Sequence, residues 1–348
     1  MRRALLTFYR TRDRDLPWRR TRNPYAIWIS EVMLQQTRVT VAAPRFERFI
    51  GRFPDVAALA AAGAEHVCEE WAGLGYYRRA RNLHLAAVTI VDDHRGRLPR
   101  EPAQLERLPG IGRYTAGAIA SIAFDVATPA VDGNTTRVLM RLLAIAGPAA
   151  VPATSERVWH VAAELVRGRR PGDINQALME LGQQVCLPTT PACGQCPLRR
   201  WCRAYELGEP ARFPAAAAPV ARRPLRVAFA WIAGRRGLWL ERRPPGGLWE
   251  GQWQLPGEEG PQARRRLAER LGVALGRALV TIPHELSHRS VTATLHAPSR
   301  SPRLRAGAHR RSYPEPLSAP LSALARKAIE ASPFTGTALQ GPQERRLK

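Results

Sequence analysis

Four cysteines close together in the chain are the residues best suited to chemistry. They form a C-x6-C-x2-C-x5-C pattern at Cys186, Cys193, Cys196 and Cys202. Four thiolates in one short segment can ligate a [4Fe–4S] cluster or a tetrahedral zinc ion. Buried unpaired thiols or two disulfides are the alternatives, and disulfides are typical of secreted proteins. The spacing therefore indicates a metal centre, and the pattern alone leaves the metal open.

A second segment could bind phosphate through its backbone. Residues 108–112 read Leu-Pro-Gly-Ile-Gly and precede a helical stretch at residues 114–124. Glycine permits a tight turn and a close approach to another molecule. The N–H groups at the start of the following helix can then hold a phosphate oxygen. Because a Pro-Gly turn between two helices is common, this segment taken alone is equally consistent with an ordinary turn.

Two carboxylates belong to segments that predict helices. Asp132 lies in residues 131–138 (VDGNTTRV) and is a residue type that caps helix N-termini. Glu31 lies between Trp28 and Val32, and an acidic residue in a first helical turn ordinarily complements the helix dipole. A carboxylic acid in a partly dry pocket can also protonate a leaving group, and a carboxylate can stabilise a developing cation. Residue types alone leave both interpretations open.

The charge of the chain indicates a polyanionic partner. Among 348 residues there are 53 Lys and Arg against 29 Asp and Glu, a formal net charge of +24. Such a surface attracts a polyanion over about a Debye length, roughly 8 Å at physiological salt. Nucleic acid is the obvious partner, while acidic proteins, nonspecific ribosome-like binding and the arginine bias of a G+C-rich genome are alternatives.

The elements that must position these residues are mainly helical in the first part of the chain. Apolar residues recur at three- and four-residue spacing from Leu5 to about Tyr205, interrupted by frequent Pro and Gly. This pattern predicts a domain of about ten short helices at residues 1–208. Its hairpin would occupy about residues 105–124, and its cysteine loop residues 186–202.

The pattern changes after the cysteines. Residues 209–225 are rich in Pro, Ala and Arg, and predict a linker. Strand-like alternation at residues 225–240 and 290–295 predicts a smaller α+β domain at residues 226–331. Residues 332–348 are expected to form a disordered tail.

No segment predicts membrane insertion. The chain has no apolar run near the ~20 residues that a spanning helix needs. Residues 4–9 are too short for the core of a signal peptide. We therefore expect a soluble cytoplasmic protein with no membrane partner.

Several motifs together resemble one enzyme family. Residues 30–37 (SEVMLQQT) resemble, almost letter for letter, the opening motif of MutY-type adenine DNA glycosylases, and residues 73–82 (GLGYYRRARN) are similar to a second family motif. The order of hairpin, Asp132 and cysteine loop is that of the endonuclease III superfamily, whose hairpin belongs to a helix-hairpin-helix motif. The resemblance covers residues 5–205 strongly and 226–331 weakly.

The resemblance implies a base-excision repair enzyme with a [4Fe–4S] cluster. Such an enzyme would act as a monomer on double-stranded DNA, in a bacterial cytoplasm at the nucleoid. It would flip out an adenine mispaired with 8-oxoguanine or guanine and hydrolyse the N-glycosidic bond. By this resemblance Glu31 is the general acid, Asp132 stabilises the sugar cation, and Asn134 and Arg137 help to hold Asp132.

The resemblance also implies which residues contact DNA. Two side chains would enter the base stack where bases are displaced, and the hairpin would bind the sugar-phosphate backbone without reading sequence. The residues implied to contact DNA are Gln36, Tyr76, Leu108, Gly110, Gly112 and Arg137.

One position separates the enzyme classes of the superfamily. Relatives with lyase activity have, two residues after the last hairpin glycine, a lysine that forms a Schiff base. This chain has Tyr114 there, and a phenol cannot form an imine with the sugar. We therefore expect a monofunctional glycosylase, with Tyr114 donating a hydrogen bond beside Asp132.

The C-terminal part resembles the Nudix-like domain that reads 8-oxoguanine in the same family. Residues 247–251 (GLWEG) and 255–257 (LPG) match its entry, and residues 286–288 match a loop that commonly reads Phe-Ser-His. The implied lesion-reading pair is Ser287 and His288. Leu286 replaces the usual Phe. The segment after Gly257 lacks the Arg-Glu-x-x-Glu-Glu cluster that would hold Mg²⁺, so pyrophosphate hydrolysis is not expected.

Two alternatives accompany this interpretation. The first is another glycosylase of the same core. Tyr114 argues against an endonuclease III-like lyase, and the second domain argues against a thymine mismatch glycosylase. The second is a DNA-binding iron–sulfur protein that senses redox state without catalysis. A pure binder needs neither Glu31 nor Asp132, so the pair favours an enzyme.

Overall fold

A computed structural model describes most of the chain. The described residues are 1–12, 15–215, 221–234, 236–244, 246–286, 288–307 and 309–334. Ser287, part of the predicted linker and the predicted tail beyond Phe334 lie outside them. The predicted domain limits remain predictions.

Contacts divide the chain into two compact units. The first comprises Met1–Val67 with Arg79–Ala218, and the second comprises Cys68–Arg78 with Pro219–Lys348. The sequence did not indicate that residues 68–78 group with the C-terminal part. Among the described residues, no helix is both long and apolar enough to cross a membrane.

Helices account for the first part of the chain, as the apolar spacing predicts. They are α1 (Arg2–Thr11), α2 (Pro24–Leu34), α3 (Val39–Arg52), α4 (Val56–Ala61), α5 (Ala64–Glu70), α6 (Arg78–His94), α7 (Pro102–Leu105), α8 (Arg113–Phe124), α9 (Gly133–Leu142), α10 (Pro152–Val166), α11 (Pro171–Gln184) and α12 (Arg203–Glu206). Helices α8 and α9 pack against α11, and α2 packs against α8. The site-bearing helices therefore form one packed group.

A glycine allows α11 to lie very close to the start of α9. A Cβ atom built on Gly182 would lie 2.6 Å from Cβ of Asn134, which real Cβ atoms essentially never do. About two turns earlier on α11, Asn175 is fully buried and accepts a hydrogen bond from the backbone N–H of Ala130 at 3.0 Å. Its amide donates to the carbonyl oxygen of Thr128 at 3.0 Å. These contacts fix the segment that leads into Asp132.

The second unit is an α+β structure with two sheets. Its strands are β1 (Arg223–Ala230), β2 (Ala233–Gly234), β3 (Gly237–Arg242), β4 (Trp253–Gln254), β5 (Gly257–Glu259), β6 (Leu275–Glu285), β7 (Arg289–Pro298) and β8 (Arg310–Tyr313). One sheet has the order β5-β1-β7-β6, and the other joins β2, β3 and β4, with β8 paired to β3. In the first sheet β1 and β7 are parallel, whereas the other pairs are antiparallel.

Alternation along β1 explains how the first sheet is covered. Val227 and Phe229 belong to an apolar cluster with α14 (Ala323–Glu330), whereas Ala228 and Ala230 belong to a cluster with α13 (Ala263–Leu271). Since successive side chains point to opposite faces of a strand, the sheet is sandwiched between these two helices. The predicted fold class, mainly α followed by a smaller α+β domain, is thereby confirmed.

Candidate active site

A cleft in the first unit collects the residues that the motifs singled out. Its volume is about 910 Å³. The lining comes from α2 and the turn after it, from α8 and α11, and from the residues before α9. The predicted site residues among the lining are Glu31, Gln36, Tyr114, Asp132 and Asn134.

Glu31 is a buried carboxyl group without a cationic partner among its described hydrogen bonds. It lies in the second half of α2, so the first-turn dipole interpretation does not apply. Its side chain is buried, and its Oε2 accepts a hydrogen bond from the Tyr114 hydroxyl at 2.8 Å. Burial raises the pKa of Glu31 to about 7, with a smaller rise from the Asp132 charge; the Tyr114 hydrogen bond opposes the rise. Near neutral pH the group can therefore give and accept a proton.

Asp132 caps α9 and also lines the cleft, so its position is compatible with both interpretations that the sequence left open. Its Oδ1 accepts from the backbone N–H of Thr135 at 2.6 Å, and its Oδ2 accepts from the Asn134 amide at 2.8 Å. Hydrogen bonds to both carboxylate oxygens fix its orientation. Burial raises the pKa of Tyr114 well above its usual value, and the negative charges of Glu31 and Asp132 raise it further. The three groups are therefore electrostatically coupled.

Arginines on α9 link this site to the cysteine loop. Arg137 donates to Oδ1 of Asn134 at 2.9 Å and to the carbonyl oxygens of Gly182 at 2.7 Å and Cys186 at 2.8 Å. These contacts reach Asp132 only through Asn134, and the role of Arg137 in holding Asp132 stays a prediction. One turn later, the buried Arg141 donates to Sγ of Cys186 at 3.4 Å and to the carbonyl oxygen of Leu187 at 2.6 Å.

The four clustered cysteines line one small cavity beside α9. Burial raises the pKa of Cys196 to about 11, and it raises the pKa values of Cys193 and Cys202 as well. Partly buried thiols with raised pKa values become thiolates when a metal binds and releases their protons. Within the described part of the chain, no three His, Cys, Asp or Glu side chains are grouped so as to hold a single metal ion. Four thiolates around a shared space can ligate an iron–sulfur cluster or a zinc ion.

The predicted hairpin joins α7 to α8. Gly110 has a φ of 79°, and a Cβ there would lie 2.7 Å from Cβ of Asn82, so two constraints favour glycine. Leu108 and Ile111 are buried, and the N–H of Ile111 donates to the Leu108 carbonyl oxygen at 3.1 Å. Leu108 therefore anchors the turn with its side chain. Gly110 and Gly112 are exposed, which leaves their backbone accessible.

Gln36 and Tyr76, which were predicted to contact DNA, and His288, which was predicted to read the lesion, are exposed. Gln36 lies in the turn after α2 with a φ of 56°, and Tyr76 is 60% exposed with a φ of 48°. His288 is exposed between β6 and β7, where the N–H of Leu286 donates to the Arg289 carbonyl oxygen at 2.9 Å. The structure thus brings the Glu31 and Asp132 groups together in one unit, while Tyr76 and His288 belong to the other unit.

The sequence motifs did not indicate two residues that line or support the cleft, Glu180 and Arg79. Glu180 is buried in the lining and pairs with Arg19 at 2.5 Å. Arg79 donates from α6 to backbone carbonyls at the end of α2. Glu180 could have been found as an acidic residue within the apolar pattern of α11. No sequence feature near Arg79 indicates which residues accept its hydrogen bonds.

Family models match both parts of the chain. Residues 29–163 match the model described as "HhH-GPD superfamily base excision DNA repair protein", and residues 227–331 match that of the NUDIX domain. A thermostable thymine-DNA glycosylase of known structure aligns with a TM-score of 0.54 and 29% identity over 59% of this chain and 95% of its own. A trapped endonuclease III–DNA covalent intermediate aligns with a TM-score of 0.51 at 24% identity, over 60% of this chain and 94% of its own, which supports the fold alone. Fold and site together define a helix-hairpin-helix protein of the base excision repair class.

Curated relatives narrow this class. The adenine DNA glycosylase of Mus musculus is 47% identical over 58% of this chain and 41% of its own length. That of Mycolicibacterium smegmatis is 43% identical over 64% of this chain and 74% of its own. That of Buchnera aphidicola subsp. Schizaphis graminum is 33% identical over 72% of this chain and 73% of its own length. The chain matches about two fifths of the length of the mammalian relatives.

The chain belongs to the adenine DNA glycosylase family, as the sequence motifs predict.

Proposed function

We propose that the protein removes adenine from A·8-oxoguanine and A·G mismatches by hydrolysing the bond between adenine and deoxyribose. The observation that carries this proposal is the buried carboxyl group of Glu31, whose pKa is raised to about 7 at the wall of a cleft of about 910 Å³. Adenine leaves easily only when it is protonated, and a carboxylic acid with a pKa near the working pH is suited to that step.

The reaction begins with transfer of the Glu31 proton to N7 of the flipped adenine. The C1′–N9 bond then breaks, its electron pair leaves with the adenine, and the sugar becomes an oxocarbenium-like cation. Water adds to C1′, and the Glu31 carboxylate takes back a proton from that water. The products are free adenine and an abasic deoxyribose, and Glu31 returns to its starting state.

Asp132 stabilises the cation formed in this step. Its carboxylate is held by the Asn134 amide and by the start of α9. A preoriented negative charge beside a developing positive charge needs no reorganisation during the reaction. Tyr114, which donates to Glu31, offers no amine for a Schiff base, so the product is an intact abasic strand.

The hairpin and the two exposed side chains Gln36 and Tyr76 supply the contacts with double-stranded DNA. The backbone around Gly110 and Gly112 binds phosphate, and the side chains enter the stack vacated by the flipped base. The protein works as a monomer on chromosomal DNA.

The four clustered cysteines hold a [4Fe–4S] cluster in this proposal. Bound there, the cluster supplies a covalent crosslink of the loop that Arg137 and Arg141 contact. Protein purified without oxygen should contain about four irons per chain. Stoichiometric zinc without iron would contradict the assignment.

Ser287 and His288 distinguish 8-oxoguanine from guanine. The lesion differs by an N7 hydrogen and a C8 oxygen, and a hydroxyl and an imidazole can read both. Replacing both residues by alanine should narrow the preference for A·8-oxoguanine over A·G while single-turnover activity on A·G changes little. Parallel losses on both duplexes would indicate a role in the turn only.

One assay separates this function from its alternatives. Duplexes carrying A·8-oxoguanine, A·G and T·G are incubated with excess protein, and strand breaks are counted with and without alkali. We expect alkali-dependent breaks at A on the first two duplexes. Breaks at T would indicate a thymine glycosylase, breaks without alkali a lyase, and binding without base release a sensor.

A further inference from the structure

The turn after α2 has an unusual backbone. Helix α2 ends at Leu34, and Gln35 leaves the helical conformation with a ψ of 111°. Gln36 follows with a φ of 56°, in the left-handed region that residues with a Cβ rarely adopt. Its side chain is exposed at the wall of the catalytic cleft. A strained backbone of this kind persists where surrounding contacts determine it.

Arg79 supplies those contacts on one side of the turn. Its Nη1 donates to the carbonyl oxygens of Val32 at 2.7 Å and Met33 at 2.9 Å, and its Nη2 donates to Oγ1 of Thr37 at 3.1 Å. The last carbonyls of a helix have no partners within the helix, and an arginine side chain can satisfy them. One guanidinium therefore joins the end of α2 to the residue that follows Gln36.

The other side of the turn is held by α8. The side-chain amide of Gln35 donates to Oγ1 of Thr115 at 3.2 Å, and Thr115 is buried next to Tyr114. Both neighbours of Gln36 are thus hydrogen-bonded to helices. Gln36 itself projects from the turn between these two attachments.

We propose that Arg79 is the positioning residue for Gln36, holding the turn in the conformation that inserts Gln36 into the DNA stack as the adenine leaves it. This inference rests on the proposed function, because base extrusion is part of that function. The planar fork of arginine suits the task, since two nitrogens must reach three oxygens at fixed angles. Lysine carries its three donors on a single nitrogen and cannot reproduce this planar geometry.

The test follows base extrusion directly. A duplex carries 2-aminopurine in place of the target adenine opposite 8-oxoguanine, and its fluorescence rises when the base leaves the stack. Measurements are made at saturating protein in a Glu31→Gln background, which prevents excision. Arg79→Met keeps the length of the side chain but removes the donors, and Arg97→Met, an exposed arginine beyond the end of α6, is the matched control.

We expect Arg79→Met to lower the equilibrium constant for base extrusion about tenfold. Arg79→Lys should restore part of this loss, and Arg97→Met should leave the constant unchanged. Gln36→Ala should have the same effect as Arg79→Met. Combining the two changes should add nothing further, since Arg79 acts through Gln36. Thr37→Val removes one contact and leaves Arg79 in place, so it should give a smaller loss even if Arg79→Met folds poorly.

Two outcomes would overturn the inference. One is extrusion by Arg79→Met at the level of the unchanged protein. The other is an additive loss in the double variant, which would indicate a general loss of stability. If the protein with its natural Arg79 and Gln36 produced no fluorescence rise, the proposed function would fail, and this inference with it.

Discussion

Two carboxylates, one buried in the first unit and one partly buried in the second, have different kinds of partner. In the cleft of the first unit, Glu31 accepts a hydrogen bond from the neutral hydroxyl of Tyr114. In the second unit, Glu241 accepts from the guanidinium groups of Arg270 at 2.8 Å and Arg310 at 2.6 Å. A guanidinium stabilises the charged form of a carboxylate, whereas burial beside a neutral donor leaves that charge costly.

This difference indicates which carboxylates are available for chemistry. Asp132 resembles Glu31 in this respect, because its described partners are an amide and a backbone N–H. Glu241 instead joins β3 to α13 and β8 through ion pairs with Arg270 and Arg310. The chain has 53 basic side chains, so a carboxylate whose described hydrogen bonds include no Lys or Arg is a useful marker of a functional site.

The largest effect should come from removing the acid. Glu31→Gln keeps the volume and the acceptor for Tyr114 but cannot protonate N7, so single-turnover adenine release should fall 10²–10⁴-fold. Binding to the mismatched duplex should be nearly unchanged. Glu164→Gln, an exposed residue of α10, is the matched control. Retention of activity within about tenfold would exclude the general-acid role.

The second effect separates the two roles of Asp132. Asparagine caps helices about as well as aspartate, so Asp132→Asn should change the free energy of unfolding by less than about 0.5 kcal/mol. Loss of the negative charge should lower the single-turnover rate about 10²–10³-fold. Asp55→Asn alters another capping aspartate, whose side chain accepts from the N–H of Ala58, and should change neither quantity. A large stability loss in Asp132→Asn would mean that capping dominates.

The third effect is a pH dependence with a defined sign. The folded protein holds the Glu31 proton up to a pKa of about 7, whereas an unfolded Glu loses it near pH 4.3. The folded state therefore binds more protons between these values, and its stability falls as pH rises through this window. Glu31→Gln should abolish that loss and be more stable than the unchanged protein at pH 8 by roughly 1–3 kcal/mol.

The same group determines the pH dependence of the rate. Single-turnover adenine release should decrease about tenfold per pH unit above pH 7, because the protonated fraction of Glu31 decreases in that proportion. A rate that stays constant from pH 6 to pH 9 would be incompatible with Glu31 as the proton donor.

The smallest effect belongs to the second unit. Glu241→Gln removes the carboxylate that Arg270 and Arg310 share, although Arg270 still pairs with Glu258 at 2.8 Å. Because both arginines are partly exposed, the loss of unfolding free energy should be about 1 kcal/mol. Chemical denaturation measures this change. Adenine release at saturating protein should be unchanged, and a loss of rate would show that the ion pairs of this unit affect catalysis.

Local patterns in the sequence predicted the fold class, whereas the candidate site residues came from the resemblance to family motifs. Apolar spacing located the helices, and the carboxylates at Glu31 and Asp132 could be singled out because each lies within a recognisable motif. The partner of Arg79 was not predictable, since its acceptors are backbone carbonyls more than forty residues away. Strand β6 was missed because Gly276, Arg277 and Pro283 interrupt its alternation.

The close packing of Gly182 against Asn134 has a consequence for heredity. Every glycine codon begins with two guanines, and an uncorrected A·8-oxoguanine pair at the second of them becomes a T·A pair after replication. Glycine then becomes valine, whose Cβ would lie 2.6 Å from that of Asn134, the residue whose amide holds Asp132. The lesion that this protein is proposed to counter can thus disable its own gene at this codon, and each such event would raise the rate of the next.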